Sequence, residues 1–234
     1  MTSRGSCQRF PGRWGIAAVF VGLLACGAAL AATSQLPAVS PDGLRLVPQS
    51  KVSAFYLLDG ADFSGYRQLA ILDCQVAFRK NWKRDQNSFR VDDGDMARIK
   101  SDLAAQFKEV FVRELSAKGE TLTTIAGPDV LILRPAIVDL DVAAPDTMEP
   151  GARSFSASAG RATLVLEFYD SVSGELLARG MDAEAAGSSG RVTVRNGVTN
   201  RRDAEMVLSR WARTLATFLE NARKDAKPTV APGQ

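Results

Sequence analysis

Gly127-Pro128-Asp129-Val130-Leu131-Ile132-Leu133-Arg134-Pro135-Ala136-Ile137-Val138-Asp139-Leu140-Asp141-Val142 is the stretch on which the fold turns. Gly-Pro-Asp is turn chemistry, and the apolar run behind it reads as the central strand of an α/β domain. Val130 to Leu133 is apolar throughout, as in a strand covered on both faces. Beyond Pro135 the apolar residues Ala136, Val138, Leu140 and Val142 alternate with others that include Asp139 and Asp141, so one face there should meet water. Proline gives no N–H to a ladder and usually marks an edge or a bulge. A bulge at Arg134-Pro135 would carry Leu131 and Leu133 onto the face of Ala136, Val138 and Leu140.

Outward from this strand, the patterns predict a two-layer α+β domain. A mixed, largely antiparallel sheet of about five strands would carry two long amphipathic helices on one face. The other strands are expected at Ser53–Leu58, Gln68–Phe78, Arg161–Asp170 and Glu175–Ala185, the last two joined through Asp170-Ser171-Val172-Ser173-Gly174 as a hairpin. Thr121–Ile125 and Arg191–Arg195 could add short strands. Met96, Ile99, Leu103, Phe107, Val110, Phe111 and Leu115 recur at helical steps, predicting a helix over Met96–Lys118. Asp92, Asp93 and Asp95 are its capping candidates, and Gly119 fits its C-terminal stop. Ala204, Val207, Leu208, Trp211, Leu215, Phe218 and Leu219 predict a second helix over Asp203–Lys224. Trp211 is expected to be its main anchor on the sheet. Between the central strand and the hairpin, Ala143–Gly160 is long and without period, the kind of segment that carries function or merely connects.

The N-terminus reads as an export signal. Arg4, Arg9 and Arg13 precede an apolar run from Gly15 to Leu30, and Ala29-Leu30-Ala31 has the small residues a signal peptidase reads. Residues 1–31 are therefore expected to be a signal peptide, 32–50 a tether, 51–226 one α/β domain and 227–234 a polar tail. Leu23-Leu24-Ala25-Cys26 resembles a lipobox, so a lipid anchor at Cys26 is the alternative to simple cleavage, although Gly27 to Ala32 stays apolar where lipoproteins turn polar. The expected location is the periplasm or cell envelope.

The chain has 29 basic and 26 acidic residues, and the surplus lies wholly in the three leader arginines. A mature chain without net charge argues against nucleic acid, which needs clustered surplus cations. Arg79-Lys80-Asn81-Trp82-Lys83-Arg84 is a local basic cluster, read as a solvated loop neutralised by Asp85, Asp92 and Asp93. The absence of histidine removes the commonest general base and zinc ligand. Cys74 alone remains beyond the leader region and reads as a small core residue. Gly187 to Asn200 lacks phosphate-loop spacing.

Several stretches resemble a bacterial family known as domain of unknown function 3313. They are Gly60-Ala61-Asp62-Phe63-Ser64-Gly65-Tyr66, Gly127-Pro128-Asp129 through Leu140-Asp141, Tyr169-Asp170-Ser171-Val172-Ser173-Gly174-Glu175-Leu176, and Trp211-Ala212 with Leu215-Ala216. The resemblance implies export, often as a lipoprotein, and brings no activity and no functional residue.

These readings leave three functions. The first is a non-enzymatic binding or assembly module with an unidentified envelope protein as partner, and with the outer membrane as a place of association. The second is a carboxylate-based enzyme or divalent-cation site at Asp139 and Asp141, whose side chains would point the same way along a regular strand. Alternating acids also simply keep a strand face wet, and no third ligand is in view. The third is a carrier of lipid or another apolar ligand between sheet and helices, against which Phe107, Phe111, Trp211 and Phe218 should fill the core. No catalytic, cofactor or metal residue is assigned.

Overall fold

The computed structural model describes residues 36–86, 91–142, 154–156, 160–186, 193–195 and 197–224. The expected signal peptide, the Cys26 anchor, the polar tail and most of Ala143–Gly160 lie outside these residues.

Along the chain come β1 (Arg45–Leu46), β2 (Ala54–Leu57), β3 (Gln68–Ile71), β4 (Gln75–Phe78), α1 (Trp82–Asp85), α2 (Asp93–Ala117), β5 (Thr121–Leu122) and β6 (Val130–Val142). The second half holds β7 (Ser154–Ser156), β8 (Gly160–Asp170), β9 (Leu176–Ala186), β10 (Thr193–Arg195) and α3 (Gly197–Lys224). The α+β class is as the patterns predict, but the main sheet has eight strands rather than five. Its order is β1-β2-β9-β8-β6-β3-β5, with β4 also on β6. The pairings among β1, β2, β9, β8 and β6 are antiparallel, and β3, β4 and β5 run parallel to their neighbours. A separate antiparallel pair joins β7 to β10.

The strand expected at Gln68–Phe78 is broken into β3 and β4, and Pro135 supplies the reason. Leu72 donates its N–H to the Leu133 carbonyl at 2.9 Å, so β6 turns the backbone of residue 133 toward this neighbour. Alternation turns residue 135 the same way, and proline has no N–H to offer. Pairing resumes only at Gln75 opposite Ala136. Cys74, in the gap, tucks into the core.

The bulge is likewise displaced from its expected place. β6 pairs with β8 without interruption from Leu131 to Val138, so there is no extra residue at Arg134-Pro135. The buried face is Leu131, Leu133, Pro135 and Ile137, not Ala136 and Val138. The irregularity falls between Val138, opposite Thr163, and Asp141, opposite Arg161. Asp139 sits there at φ +51°, the left-handed conformation that a bulge residue can require and that Asp tolerates better than most.

α2 begins with a reciprocal cap. Asp92 Oδ1 accepts from the Asp95 N–H at 2.7 Å, and Asp95 Oδ2 accepts from the Asp92 N–H at 3.3 Å. It ends where Gly119 takes φ +87°, with the Gly119 and Glu120 N–H groups on the Ser116 and Leu115 carbonyls. α3 starts at Gly197 rather than at the expected Asp203. The apolar stripe marks where a helix becomes covered, not where its hydrogen bonding starts.

Both helices pack on one face of the sheet. Phe107, Phe111 and Leu115 of α2 and Leu208, Leu215 and Leu219 of α3 meet Leu69, Leu133 and Phe168. Each such side chain contributes about 1.5–3 kcal/mol by leaving water. Residues 40–46, expected in the tether, belong to the fold. Leu44 is wholly buried with Ala54 and Tyr56 in a smaller core, and the Tyr56 hydroxyl donates to the Pro37 carbonyl. Trp82, expected in a solvated loop, is buried and stacked on Phe78 with ring centroids 4.0 Å apart. The charges around it are neutralised as expected, through Arg79–Asp85 and Lys83–Asp93, each at 2.7 Å.

Candidate functional site

The two ends of β6 have different characters. At the end near Val130, three of the stretches that carry the family resemblance converge into a hydrogen-bonded knot. The Tyr66 hydroxyl donates to Asp170 Oδ2 at 2.8 Å. The Ser171 hydroxyl donates to the Gly127 carbonyl at 2.7 Å and accepts from the Gly127 N–H at 3.0 Å. Gln68 donates to Asp129 at 3.2 Å. The Ser173 N–H and hydroxyl, with Tyr66, bring the Asp170 carboxyl down to about 2. Burial first, and then the Asp170 carboxylate, push the Tyr66 phenol well above its usual range. Held neutral in this way, the phenol donates the hydrogen bond that joins the loop before β3 to the end of β8. Arg223 closes the knot with two hydrogen bonds to Glu120, each 2.8 Å, and one to the Tyr66 carbonyl at 2.9 Å.

On the sheet face away from the helices lies a second polar cluster. Glu167 accepts from Arg134 at 2.7 Å, from Arg179 at 2.9 Å and from Tyr169 at 3.0 Å. Burial pushes the Glu167 carboxyl up, but these donors outweigh it and hold the group below its usual range. Arg179 also reaches Asp42. With charges matched in this way, the cluster ties β6, β8 and β9 to the segment before β1.

Among the described residues, the layers do not close at the other end of β6. A cleft of about 620 Å³ opens between the N-terminal part of α2, the N-terminal part of α3 and the ends of β6 and β8. Its floor includes Ile99, Leu103, Leu140, Val207 and Trp211. Ala162 and Ala204 line it too. Among the described helical residues that line it Trp211 alone is aromatic, whereas Phe107 and Phe111 stack with centroids 3.8 Å apart and fill the other half of the interface. Thus the aromatics fill only part of the core, and small side chains leave the rest open. The bulge shapes this floor. It turns Leu140 into the cleft after Ile137, where an uninterrupted strand would have turned Asp139.

The sequence-selected carboxylates are separated in role by the same bulge. Asp139 is exposed, whereas Asp141 is held by Arg79 at 3.1 Å and by Arg161 at 3.5 Å. The regular alternation behind the paired-carboxylate reading is broken between them. Among the described residues, no three acidic or thiol side chains converge as a metal would require. Asp139 is predicted to serve backbone geometry: Asp139→Val should cost about 1–2 kcal/mol, the penalty for a branched residue in the left-handed region. Asp139→Gly should unfold in urea at or above the wild-type midpoint. Equal stability of the Val variant would show that the bulge is misplaced. Cys74 is buried, and that burial pushes its thiol up to about 12, so it is no nucleophile at neutral pH.

The cleft itself gave little signal in the sequence. Ile99 and Leu103 are legible as part of the α2 stripe, but nothing in the stripe says that they stay half-covered. The paired small residues Ala162 and Ala204 were the available clue.

A family model described as a protein of unknown function (DUF3313) matches residues 38–215. No curated protein matches the chain. Among solved structures it is similar to the PelC dodecamer from Paraburkholderia phytofirmans, at 11% identity over 67% of this chain and 92% of that one, with a TM-score of 0.36. It is also similar to a DUF330-family protein from Xanthomonas campestris, at 13% identity over 68% and 87%, with a TM-score of 0.37. A third is a putative neuraminyllactose-binding hemagglutinin homolog from Helicobacter pylori, at 9% identity over 70% and 90%, with a TM-score of 0.35.

Proposed function

This chain belongs to the DUF3313 family, whose function is unknown, and on that premise we propose that it is an exported, non-enzymatic binding module of the cell envelope that binds through the cleft at the Val142 end of β6. The cleft carries this reading. Globular domains usually close their layers, and a concave, mainly apolar opening of a few hundred Å³ with a charged rim is the usual form of a ligand site. Support for export comes from residues 1–31, with their arginines, apolar run and small residues before the cleavage point. Support for binding rather than catalysis comes from the lack of histidine and from the ion pairs that hold Asp141 and Glu184 at the cleft.

The test is site-specific photocrosslinking in the envelope of cells expressing the full chain. A benzophenone side chain replacing Asp102, on the rim, is expected to trap a partner or ligand. One replacing Val172, in the exposed turn at the far end of β6, should trap nothing. Adducts from Val172 with none from Asp102 would move the binding face to the knot and refute the reading.

A further inference from the structure

We infer that the sheet face turned away from the helices docks a second copy of this chain, through β6 and β8; the inference does not depend on the cleft. On that face Ala136 stands opposite Val165, and Val138 opposite Thr163. Ala136, Val138 and Val165 belong to neither core, and among the described residues all four side chains stay half-buried. Charged pairs close this block at both ends. Arg134 stands opposite Glu167 toward the knot, and Asp141 stands opposite Arg161 toward Val142. Both are ion pairs within the chain. Six residues of β8 separate the two pairs, a span of about 20 Å.

The order of the charges selects the occupant. The cation is on β6 in one pair and on β8 in the other. The four groups therefore mark a rectangle with both cations on one diagonal and both anions on the other. The cations are also raised: the Arg134 and Arg161 side chains are 51% and 74% exposed, against 10% and 20% for Glu167 and Asp141. A second copy laid face down about a two-fold axis in the sheet plane, along either side of the rectangle, exchanges the diagonals. Each raised guanidinium then lies over a recessed carboxylate, and the small apolar side chains meet at the centre. Two adjacent strands twist little between them, and two such faces can stack with their strands nearly aligned. A partner of one sign of charge would gain at two corners and lose at the other two, so the pattern fits its own copy best. Arg79 and Arg179 stand outside the rectangle, each on an acid of its own chain. Because the corner charges already have partners, their part is mainly to set orientation.

Sedimentation equilibrium of the mature chain is expected to show monomer and dimer with a Kd of about 10–100 µM, in keeping with a small interface. Arg161→Glu, at the most exposed corner, and Val165→Lys, at the centre, should each raise that Kd about tenfold or more. Both sites lie on the sheet surface, and unchanged circular dichroism checks that each variant is folded. In cells expressing the full chain, a bismaleimide should join Thr163→Cys to a second copy and leave Thr217→Cys, on the exposed side of α3, unjoined. Cys74 is buried in both and does not compete. A dimer that tolerates both substitutions, or that crosslinks equally from residue 217, forms through another surface and overturns the inference. A chain that stays monomeric at about 100 µM overturns it as well, whether or not residue 163 then traps a different protein.

Discussion

Truncation of Trp211 to Ala is expected to destabilise the domain by about 3–5 kcal/mol, the range for removing a large buried aromatic. The indole is 4% exposed and stands between α3 and the sheet in the core shared with Leu208, Leu215 and Leu164. Its N–H donates to Asp182 of β9, a carboxylate that also accepts from the Ser53 N–H and hydroxyl near the start of β2. Truncation therefore removes the packing of α3 and one of the bonds through which it reaches the sheet. Trp211→Phe separates the two contributions. It keeps most of the ring and should fall between wild type and the Ala variant, since a hydrogen bond to a carboxylate is worth about 1.5–3 kcal/mol. Urea unfolding of the three proteins decides it. An Ala variant with the wild-type midpoint would place the residue outside the core and undo the assignment of the α3 stripe.

Arg223→Ala should cost about 3 kcal/mol, toward the lower end for breaking a buried ion pair because the guanidinium keeps some exposure. Its partner Glu120 has a side chain only 6% exposed and receives two guanidinium hydrogen bonds. Without the arginine that carboxylate stays largely dry and uncompensated, and the Tyr66 carbonyl loses its donor. Replacing both partners, Arg223→Met with Glu120→Met, should recover much of the loss, because no charge is then left stranded. A single variant costing under about 1 kcal/mol would put the pair among ordinary surface bridges. The same measurement bears on the knot as a whole, since Arg223 fastens the end of α3 to the loop before β3.

Three of the segments of family resemblance meet in this knot, while Leu140 and Asp141, farther along the second, and Trp211 of the fourth line the cleft. Gly60–Tyr66, Gly127–Asp129 and Tyr169–Gly174 lie far apart in the chain, yet they meet through Tyr66–Asp170 and Gly127–Ser171. They are positioned to hold one end of the sheet shut, while the open cleft lies at the other end.

The sequence alone determined what depends on local periodicity and local caps: the two-layer α+β class, the hairpin of β8 and β9, the α2 stripe with its Asp92 start and Gly119 stop, and the burial of Cys74 and Trp211. Tertiary structure decided the rest, because each remaining feature depends on a neighbour distant in sequence. The break between β3 and β4 lies opposite Pro135, a residue of another strand. The bulge lies at Asp139 because both ladders flanking β6 have to shift there, β4 on one side and β8 on the other. Apolar residues at 131, 133, 136, 138 and 140 are equally compatible with a bulge at 134, so alternation could not choose between them. The cleft is a difference in volume among side chains from four elements. A one-dimensional pattern records which residues are apolar, but not whether those facing one another are large enough to meet.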